Sequence, residues 1–520
     1  MPPERKDLGD FQTPLPLATA TCSILKQKNI DPEVVIEPTC GAGNFVIAAF
    51  QTFTSLKEVH CIEIQPSYEE LFWKNMARFA SQAKIELVTG SIFTHEFNAA
   101  RFTGKRVLVL GNPPWVTNSE LSRLNSENVP RKSNIKKVKG IEAMTGKGNF
   151  DIAESIIIHL VKQLEGTGAW LSLFCKSSVI KSIVRDARTM GASLGGMEAY
   201  EIDAKHEFGI TASGALFVAR LSSEPGDTCR IASFYEPELP IKKIGWIGNR
   251  FVSNIDLYRS RQDMDGQSPF EWRQGVKNDA AKIMVLNRDG SNLLVNGFGE
   301  PVDIEADLVF PFVKGSALNN QFVTRTQQCT IITQTRLGED TACIAAKQPR
   351  TWHYLVNHCA VLESRKSAMY KNKPRFSLFG IGNYAFKPYK IAICSFYKKP
   401  RFSLVCPVDK KPSMLDDTCY YISFDDIDSA ILVLAALDSP EVIPFLEAIT
   451  FSDGKRVYSK EILMRLNIYR LLERAGLEEK ALSLVREVDD AIKLAISPES
   501  LRHARNTMLA SRLAISANIS

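Results

Sequence analysis

Five short apolar runs, at residues 34–36, 59–64, 85–88, 107–110 and 169–174, alternate with longer segments of helical spacing. Runs this short read as strands rather than helices, and their near-continuous apolar character suits strands covered on both faces. The segment 151–164 shows the other pattern. Ile152, Ser155, Ile156, His159, Leu160 and Gln163 share one helical face, and Asp151 stands where it can cap the amino end. Strands and helices in alternation predict an α/β fold: a parallel, doubly wound sheet with helices on both faces. After Ser222 the texture changes. Residues 222–227 and 237–240 read as linker, residues 246–404 are rich in short β-type runs, aromatics and turn residues, and helical spacing returns from Pro440 onward. Two domains are expected, 1–240 and 241–520, the second mixed α+β and helical toward 440–520.

The remaining bulk properties mainly exclude. The longest apolar stretch, around 430–437, is far short of a membrane span, and Met1-Pro-Pro-Glu-Arg-Lys6 lacks the apolar core of a secretory signal. A cytoplasmic protein without membrane contact is expected. The 11 cysteines are scattered and form no Cys-x-x-Cys pair, so neither a zinc ribbon nor a disulfide framework is predicted, and no metal. A net charge of +6 says little by itself.

Ile36-Glu37-Pro38-Thr39-Cys40-Gly41-Ala42-Gly43-Asn44-Phe45 follows the first strand and opens a helix. Glycines at 41 and 43 let the backbone pass close to a ligand. The second strand ends on Glu63, where a carboxylate can take both hydroxyls of a ribose. The segment lacks G-x-G-x-x-G, and no Gly-Lys-Ser/Thr follows. The leading Glu37 would repel a pyrophosphate and attract a cationic nucleoside. S-adenosylmethionine fits that description.

Asn112-Pro113-Pro114-Trp115 ends the fourth strand, the edge at which open α/β sheets place their ligands. An exocyclic amino group on a base is a poor nucleophile because its lone pair is delocalised into the ring. The Asn112 side-chain oxygen and a prolyl carbonyl can accept both amino hydrogens, which favours a tetrahedral nitrogen with its lone pair free. The prolines stiffen the backbone and bring no competing N–H. Trp115 offers a face on which a flipped base can stack.

In order and in motifs the chain resembles the γ-class adenine-N6 DNA methyltransferases of Type II restriction-modification systems. The matching elements are Gly9-Asp-Phe-Gln-Thr13-Pro14, residues 37–45, Glu63 and residues 112–115, followed by a C-terminal half in the place of a target-recognition domain. Trp272-Arg-Gln-Gly-Val-Lys277, Gly338-Glu-Asp-Thr341 and Lys373-Pro-Arg-Phe-Ser377 resemble segments of such domains. The resemblance implies a class I (Rossmann-like) methyltransferase sheet, S-adenosylmethionine as cofactor and duplex DNA as partner. It implies that Phe11, Thr13 and Pro14 close over the methionine end of the cofactor. Glu37, Pro38, Cys40, Gly41, Gly43, Phe45, Glu63, Ile64, Ser91, Ile92 and Asn112 would line the rest. The family's downstream aromatic, which sandwiches the flipped base, corresponds to Phe208 in His206-Glu-Phe-Gly-Ile-Thr-Ala-Ser-Gly-Ala215, ahead of an apolar strand. One position departs: the family has an acid after the third strand, where this chain reads Gly90-Ser91-Ile92, and a serine accepts a weaker hydrogen bond.

Two basic runs are candidate DNA contacts. Residues 131–139 hold five cations in nine residues, among them Arg131, Lys132, Lys136 and Lys137. Residues 371–401 hold eight Lys or Arg, seven aromatics and no acid, with Arg375, Lys387, Lys390, Lys398 and Arg401 as the expected contacts. A solvated face normally mixes signs and carries few aromatics, so phosphate and base contact is the better reading. The expectation is a monomeric modification enzyme methylating adenine N6, with a separate cognate restriction endonuclease as a candidate partner. Cytosine-N4 transfer and a catalytically weak DNA-binding subunit are the alternatives. Cytosine-C5 transfer is not expected, because it needs a Pro-Cys nucleophile and no cysteine follows a proline.

Overall fold

Each of the five apolar runs forms a strand, and all five lie in one sheet. The computed structural model describes residues 12–116, 151–190, 194–222, 224–288, 293–451, 456–486 and 496–517. The chain divides into two compact units, Met1–Asp256 and Leu257–Ser520. The strands of the first unit are β1 (Val34–Glu37), β2 (Glu58–Glu63), β3 (Lys84–Thr89), β4 (Val107–Gly111), β5 (Trp170–Lys176), β6 (Leu194–Ile202), β7 (Gly214–Leu221), β8 (Thr228–Ser233), β9 (Pro240–Ile247) and β10 (Arg250–Val252). Its helices include α1 (Leu15–Gln27), α2 (Asn44–Thr52), α3 (Glu69–Met76), α4 (Ile152–Gln163), α5 (Ser177–Met190) and the short α6 (Ala204–Phe208).

The strand order is β10-β9-β8-β6-β7-β5-β4-β1-β2-β3. From β3 through β2, β1 and β4 to β5 every pairing is parallel. Val35, Val59, Cys61, Leu108, Leu110 and Phe174 form one core with Leu17 and Leu25 of α1, Phe45 of α2 and Phe72 and Met76 of α3. The alternate residues Val34, Ile36, Val109, Leu171 and Leu173 are as deeply buried. Side chains alternate across a strand, so both faces of β1, β4 and β5 are covered, which is why those runs are almost continuously apolar, whereas the edge strand β3 is half-buried to exposed and carries Glu86.

The sheet is not parallel throughout, as the strand–helix alternation suggests. β7 inserts between β5 and β6 and runs antiparallel to both; β9 pairs antiparallel with β8, and β10 with β9. Connection length explains the first reversal. Residues 203–213 between β6 and β7 hold only α6, less than the dozen or more residues of a parallel crossover. The stretches 222–227 and 237–240, read from composition as linker, fall between consecutive strands of this sheet except for Pro240, which begins β9. Pro, Gly and charged residues serve a tight turn as well as a linker. β9 and β10, although they run past the expected boundary at 240, thus lie in the first unit.

The second unit contains β11 (Arg273–Gln274), β12 (Val285–Arg288), β13 (Leu294–Val295), β14 (Val309–Val313), β15 (Phe322–Val323), β16 (Gln328–Ile331), β17 (Tyr389–Cys394), β18 (Ser403–Val405), β19 (Met414–Leu415) and β20 (Cys419–Phe424). They form two five-stranded sheets, ordered β11-β20-β17-β18-β15 and β13-β12-β16-β14-β19. The helices α7 (Pro349–Asn357), α8 (Ile427–Leu437), α9 (Leu477–Val485) and α10 (Pro498–Ala517) follow the chain to its C-terminal part. Helical structure returns at Ile427, before the expected 440, where Asp426 accepts a hydrogen bond from the Ser429 N–H at 2.7 Å. α8 is almost wholly buried against β17 and β20 and against α9 and α10. No single helix among the described residues is long and apolar enough to cross a membrane.

Candidate active site

β1 delivers Glu37 and the glycine loop at its carboxyl end. Gly41 and Gly43 have φ of +48° and +83°, the left-handed region that glycine enters without strain. A Cβ at Gly41 would fall on the Gln12 amide, and one at Gly43 would lie 3.0 Å from Phe72 and Met76 of α3. The loop is therefore pressed between the N-terminal segment and α3. Asn75 donates to the Ala42 carbonyl at 2.9 Å, and Asn44 donates to the Thr13 carbonyl at 2.9 Å. Thr13 thus lies against the loop, with Pro14 beside it at the start of α1. Phe11 lies outside the described residues.

Glu63, at the end of β2, accepts from the Gly41 N–H at 2.7 Å through Oε2 and from the Gln65 N–H at 2.8 Å through Oε1. The carboxylate ties the loop to the strand, and half-buried Ile64 follows it. The Gly90 N–H donates to the Glu63 carbonyl at 2.8 Å, bringing the turn that carries Ser91 and the buried Ile92 to the same edge. Ser91 Oγ accepts from the Phe93 N–H at 3.3 Å. Glu37 is 2% exposed, and its Oε2 has no hydrogen-bond partner. Burial, then Cys40 and Glu63, push its carboxyl well above the usual carboxylate range. A cationic ligand would relieve that cost.

β4 ends beside this loop: a Cβ at Gly111 would sit 3.5 Å from Pro38 and 3.6 Å from Glu37. The tetrapeptide follows directly, which brings Asn112 close to the glycine loop. Trp115 Nε1 donates to Asn112 Oδ1 at 2.9 Å. The Trp115 ring meets Phe208 edge to face, 5.4 Å between centroids, and a Cβ at Gly214 would overlap it. Phe208 in turn packs on Phe174 at 6.0 Å, and Phe174 on Phe45 at 6.2 Å. A file of rings thus runs from the glycine-loop helix to the tetrapeptide. The open stacking face expected of Trp115 is not found, since its ring is 5% exposed; Phe208 and Gly214 cover it. Phe208 itself is half-buried, at the end of α6.

Beyond the tetrapeptide, the Ile152 N–H donates to the Val116 carbonyl at 2.9 Å. Asp151 caps α4 through the Ala153 N–H at 3.1 Å, as expected, and accepts from Lys176 of β5 at 2.8 Å. Asn75 and Lys176 were not legible as site residues, and neither carries a periodic or motif signal. Gln12 and Gly214 stand inside the motifs at 9–14 and 206–215, but without a role of their own there.

In the second unit the three family-like segments come together. The Lys277 N–H donates to the Phe379 carbonyl at 2.9 Å, and the Thr341 hydroxyl donates to the Arg375 carbonyl. Thr333 fixes the Phe376 carbonyl at 2.8 Å, and Arg365 that of Ser377 at 2.8 Å. Arg375 is thus presented, exposed, on an anchored loop, with Glu363 as a 3.6 Å neighbour. Lys398 is exposed, Lys387 pairs with Asp425 at 2.7 Å, and the Arg401 guanidinium donates to the Asn319 carbonyl. Lys390 contradicts the expectation of DNA contact. It is 0% exposed, and its Nζ donates to the Lys387 carbonyl at 2.7 Å. It belongs to β17, the strand between β20 and β18, and burial pulls its ammonium down to about 7. Most of the aromatics here also pack inward: Phe376 is buried, while Phe396 is exposed beneath Arg456. Arg131, Lys132, Lys136 and Lys137 lie outside the described residues.

The sheet order, the glycine loop after β1 and the tetrapeptide after β4 define a class I methyltransferase fold with a further domain. No protein-family model matches the chain. The Type II methyltransferase M.NspV of Nostoc sp. is 36% identical over 471 residues, spanning 89% of this chain and 96% of that relative. Among solved structures, the Type IIL restriction-modification enzyme MmeI in complex with DNA aligns with a TM-score of 0.54 and 12% identity, over 95% of this chain and 71% of MmeI. The chain belongs to the Type II methyltransferases of restriction-modification systems.

Proposed function

We propose that the protein methylates adenine N6 at a short duplex DNA sequence, using S-adenosylmethionine, as the modification enzyme of a restriction-modification system. The observation that carries this reading is that Gly111, directly before Asn112-Pro-Pro-Trp115, lies against Glu37 and Pro38, with Phe208 beside Trp115. In this reading Glu37 faces the cofactor's positive charge, Glu63 takes the ribose hydroxyls and Ser91 the adenine amino group. The cofactor supplies an electrophilic methyl group when bound. Asn112 Oδ1 and the Pro113 carbonyl accept the two hydrogens of the target amino group, so that its lone pair is free to attack. Phe208 holds the ring of a base turned out of the duplex, at a cost of a few kcal/mol that phosphate contacts offset. Lys387, Lys398 and Arg401 make those contacts from the second unit and Arg375 reads a base edge there, in keeping with the DNA-bound fold relative. The enzyme works as a cytoplasmic monomer, its cognate endonuclease being a separate protein.

Sequencing DNA from cells that express the protein, with detection of modified bases, tests this reading. N6-methyladenine at one short motif is the expected result. N4-methylcytosine at that motif would move the target to cytosine, and unmodified DNA would leave a binding subunit.

A further inference from the structure

An asparagine side chain carries an acceptor and a donor at nearly equal reach, and its last torsion is soft. If Asn112 is the acceptor for the target amino group, something must hold its oxygen end toward that group, because the flipped amide would present N–H to N–H. The structure contains a group with that property. Trp115 Nε1 lies 2.9 Å from Asn112 Oδ1, and an indole nitrogen can only donate. Turning the amide over would lose this bond and set two donors against each other. The amide oxygen has two lone pairs, so one can hold the indole N–H while the other takes an amino hydrogen.

The Trp115 ring is itself fixed. It is 5% exposed, Phe208 packs against it edge to face, and Gly214 leaves the space that it fills. Gly214 begins β7 opposite Lys176, and its φ is not positive. Backbone conformation therefore does not demand glycine at 214, whereas the ring does. Phenylalanine or tyrosine could fill the same volume but brings no donor at the indole nitrogen's position.

We propose that Trp115 is a positioning residue. Its indole N–H sets the polarity of the Asn112 carboxamide, and Gly214 is required because it admits the indole. The inference rests on the reading of Asn112 as the acceptor. It departs from a role of Trp115 as a stacking platform, for which the ring alone would suffice.

Replacing Trp115 by 3-benzothienylalanine, which keeps the fused ring and substitutes sulfur for the N–H, separates the two roles. The expected result is a 10- to 100-fold lower kcat, roughly the scale of a misplaced reacting group, with KM for DNA and for S-adenosylmethionine within about twofold. Gly214→Ala should give the same split, because the added methyl displaces the ring. A second measurement does not depend on turnover. In protein labelled with ¹⁵N at the indole nitrogens, the Trp115 resonance is assigned by its loss in Trp115→Phe. It should shift upfield in Asn112→Ala, where the acceptor is gone. A benzothienyl enzyme with wild-type kcat, or an indole resonance unmoved by Asn112→Ala, overturns the proposal. If instead Asn112→Ala keeps its turnover, the acceptor reading fails, while the indole shift still reports whether the bond exists.

Discussion

Removing the Asn112 carboxamide deletes the acceptor for the target amino group and for the Trp115 indole N–H, and leaves the prolines in place. Asn112→Ala should lower turnover by more than about 100-fold, the roughly 2.7–4 kcal/mol typical of a polar contact made in the transition state. DNA affinity should stay within about threefold. Tritium transfer from labelled cofactor to duplex DNA measures the first and gel-shift titration the second. A mutant keeping a tenth of normal turnover, a loss of only about 1.4 kcal/mol, would refute the role. Glu63 has two duties, since its carboxylate also holds the Gly41 and Gln65 N–H groups. Glu63→Ala should therefore weaken S-adenosylmethionine binding at least tenfold by calorimetry without altering the DNA sequence chosen. Ser91→Asp should tighten it. Equal affinity in both variants would place the cofactor elsewhere. These positions were legible because their chemistry demands particular residue types at fixed places: a glycine at positive φ, an acid at a strand end, an amide before two prolines. Asn75, which holds the Ala42 carbonyl, and Lys176, which holds Asp151, were not. A hydrogen bond made to distant chain leaves no local pattern.

At the scale of elements the apolar runs marked β1 to β5: strands covered on both faces, such as β1 and β4, are apolar at nearly every position, and the half-exposed edge strand β3 still shows Ile85, Leu87 and Val88. The antiparallel β7 was hidden, since pairing direction follows from connection length rather than from strand composition. β17 shows the same limit in the second unit. Its lysine belongs by composition to a basic surface, yet the run Ile391-Ala-Ile-Cys394 marks a central strand, and a central strand carries Lys390 inward. The cations of residues 371–401 should therefore divide into two classes. Replacing Lys387, Lys398 and Arg401 by Gln should weaken binding at every DNA sequence and flatten the plot of log K against log salt. The slope should change by about 0.9 for each phosphate that is no longer neutralised. Lys390→Met should leave that slope unchanged, because the wild-type ammonium is enclosed and bonded to the Lys387 carbonyl. Gel shifts across a salt series would measure both. An unchanged slope in the triple variant, or a reduced one in Lys390→Met, would contradict this division. An arginine that reads a base should behave differently. Arg375→Ala should relax preference at one position of the site, because a guanidinium can bind guanine bidentately.

Across the whole molecule, acid should be the condition that unfolds it, and the paired carboxylates set the range. In the first unit Glu86 is held at about 2, chiefly by Lys84 and also by Arg101, and Glu58 lies below its usual range chiefly through Lys105. In the second unit burial opposes ionisation of Glu305, but hydrogen bonds from the Thr351 side chain and backbone outweigh it and hold the group at about 2. A carboxyl depressed in the fold stabilises it above the unfolded value near 4.5 and loses that contribution as pH falls toward 2. His60 acts in the same direction from a higher pH. Burial lowers it below the ordinary imidazole value of 6.5, so the unfolded chain binds that proton more readily and stability declines once pH drops beneath about 6.5. Glu37, Asp151 and Asp428 oppose the trend, being raised chiefly by burial and so eased by protonation, but the depressed carboxyls, among them Asp31, Glu58, Glu86, Glu198, Glu305 and Glu478, outnumber them. Each surface pair is individually weak, and Glu86 is a third exposed. Their sum should still lower Tm by several degrees between about pH 6.5 and 3, at about 2–4 °C per kcal/mol for units of this size. Calorimetric scans at about pH 7, 5, 4 and 3 would measure it, and about 1 M NaCl should shrink the decline because exposed pairs are screened. Lys105→Met should also shallow it, since Glu58 would then titrate nearer its ordinary value. A Tm that is flat across that range, or a decline indifferent to both salt and Lys105, would show that these pairs do not govern the acid stability of either unit.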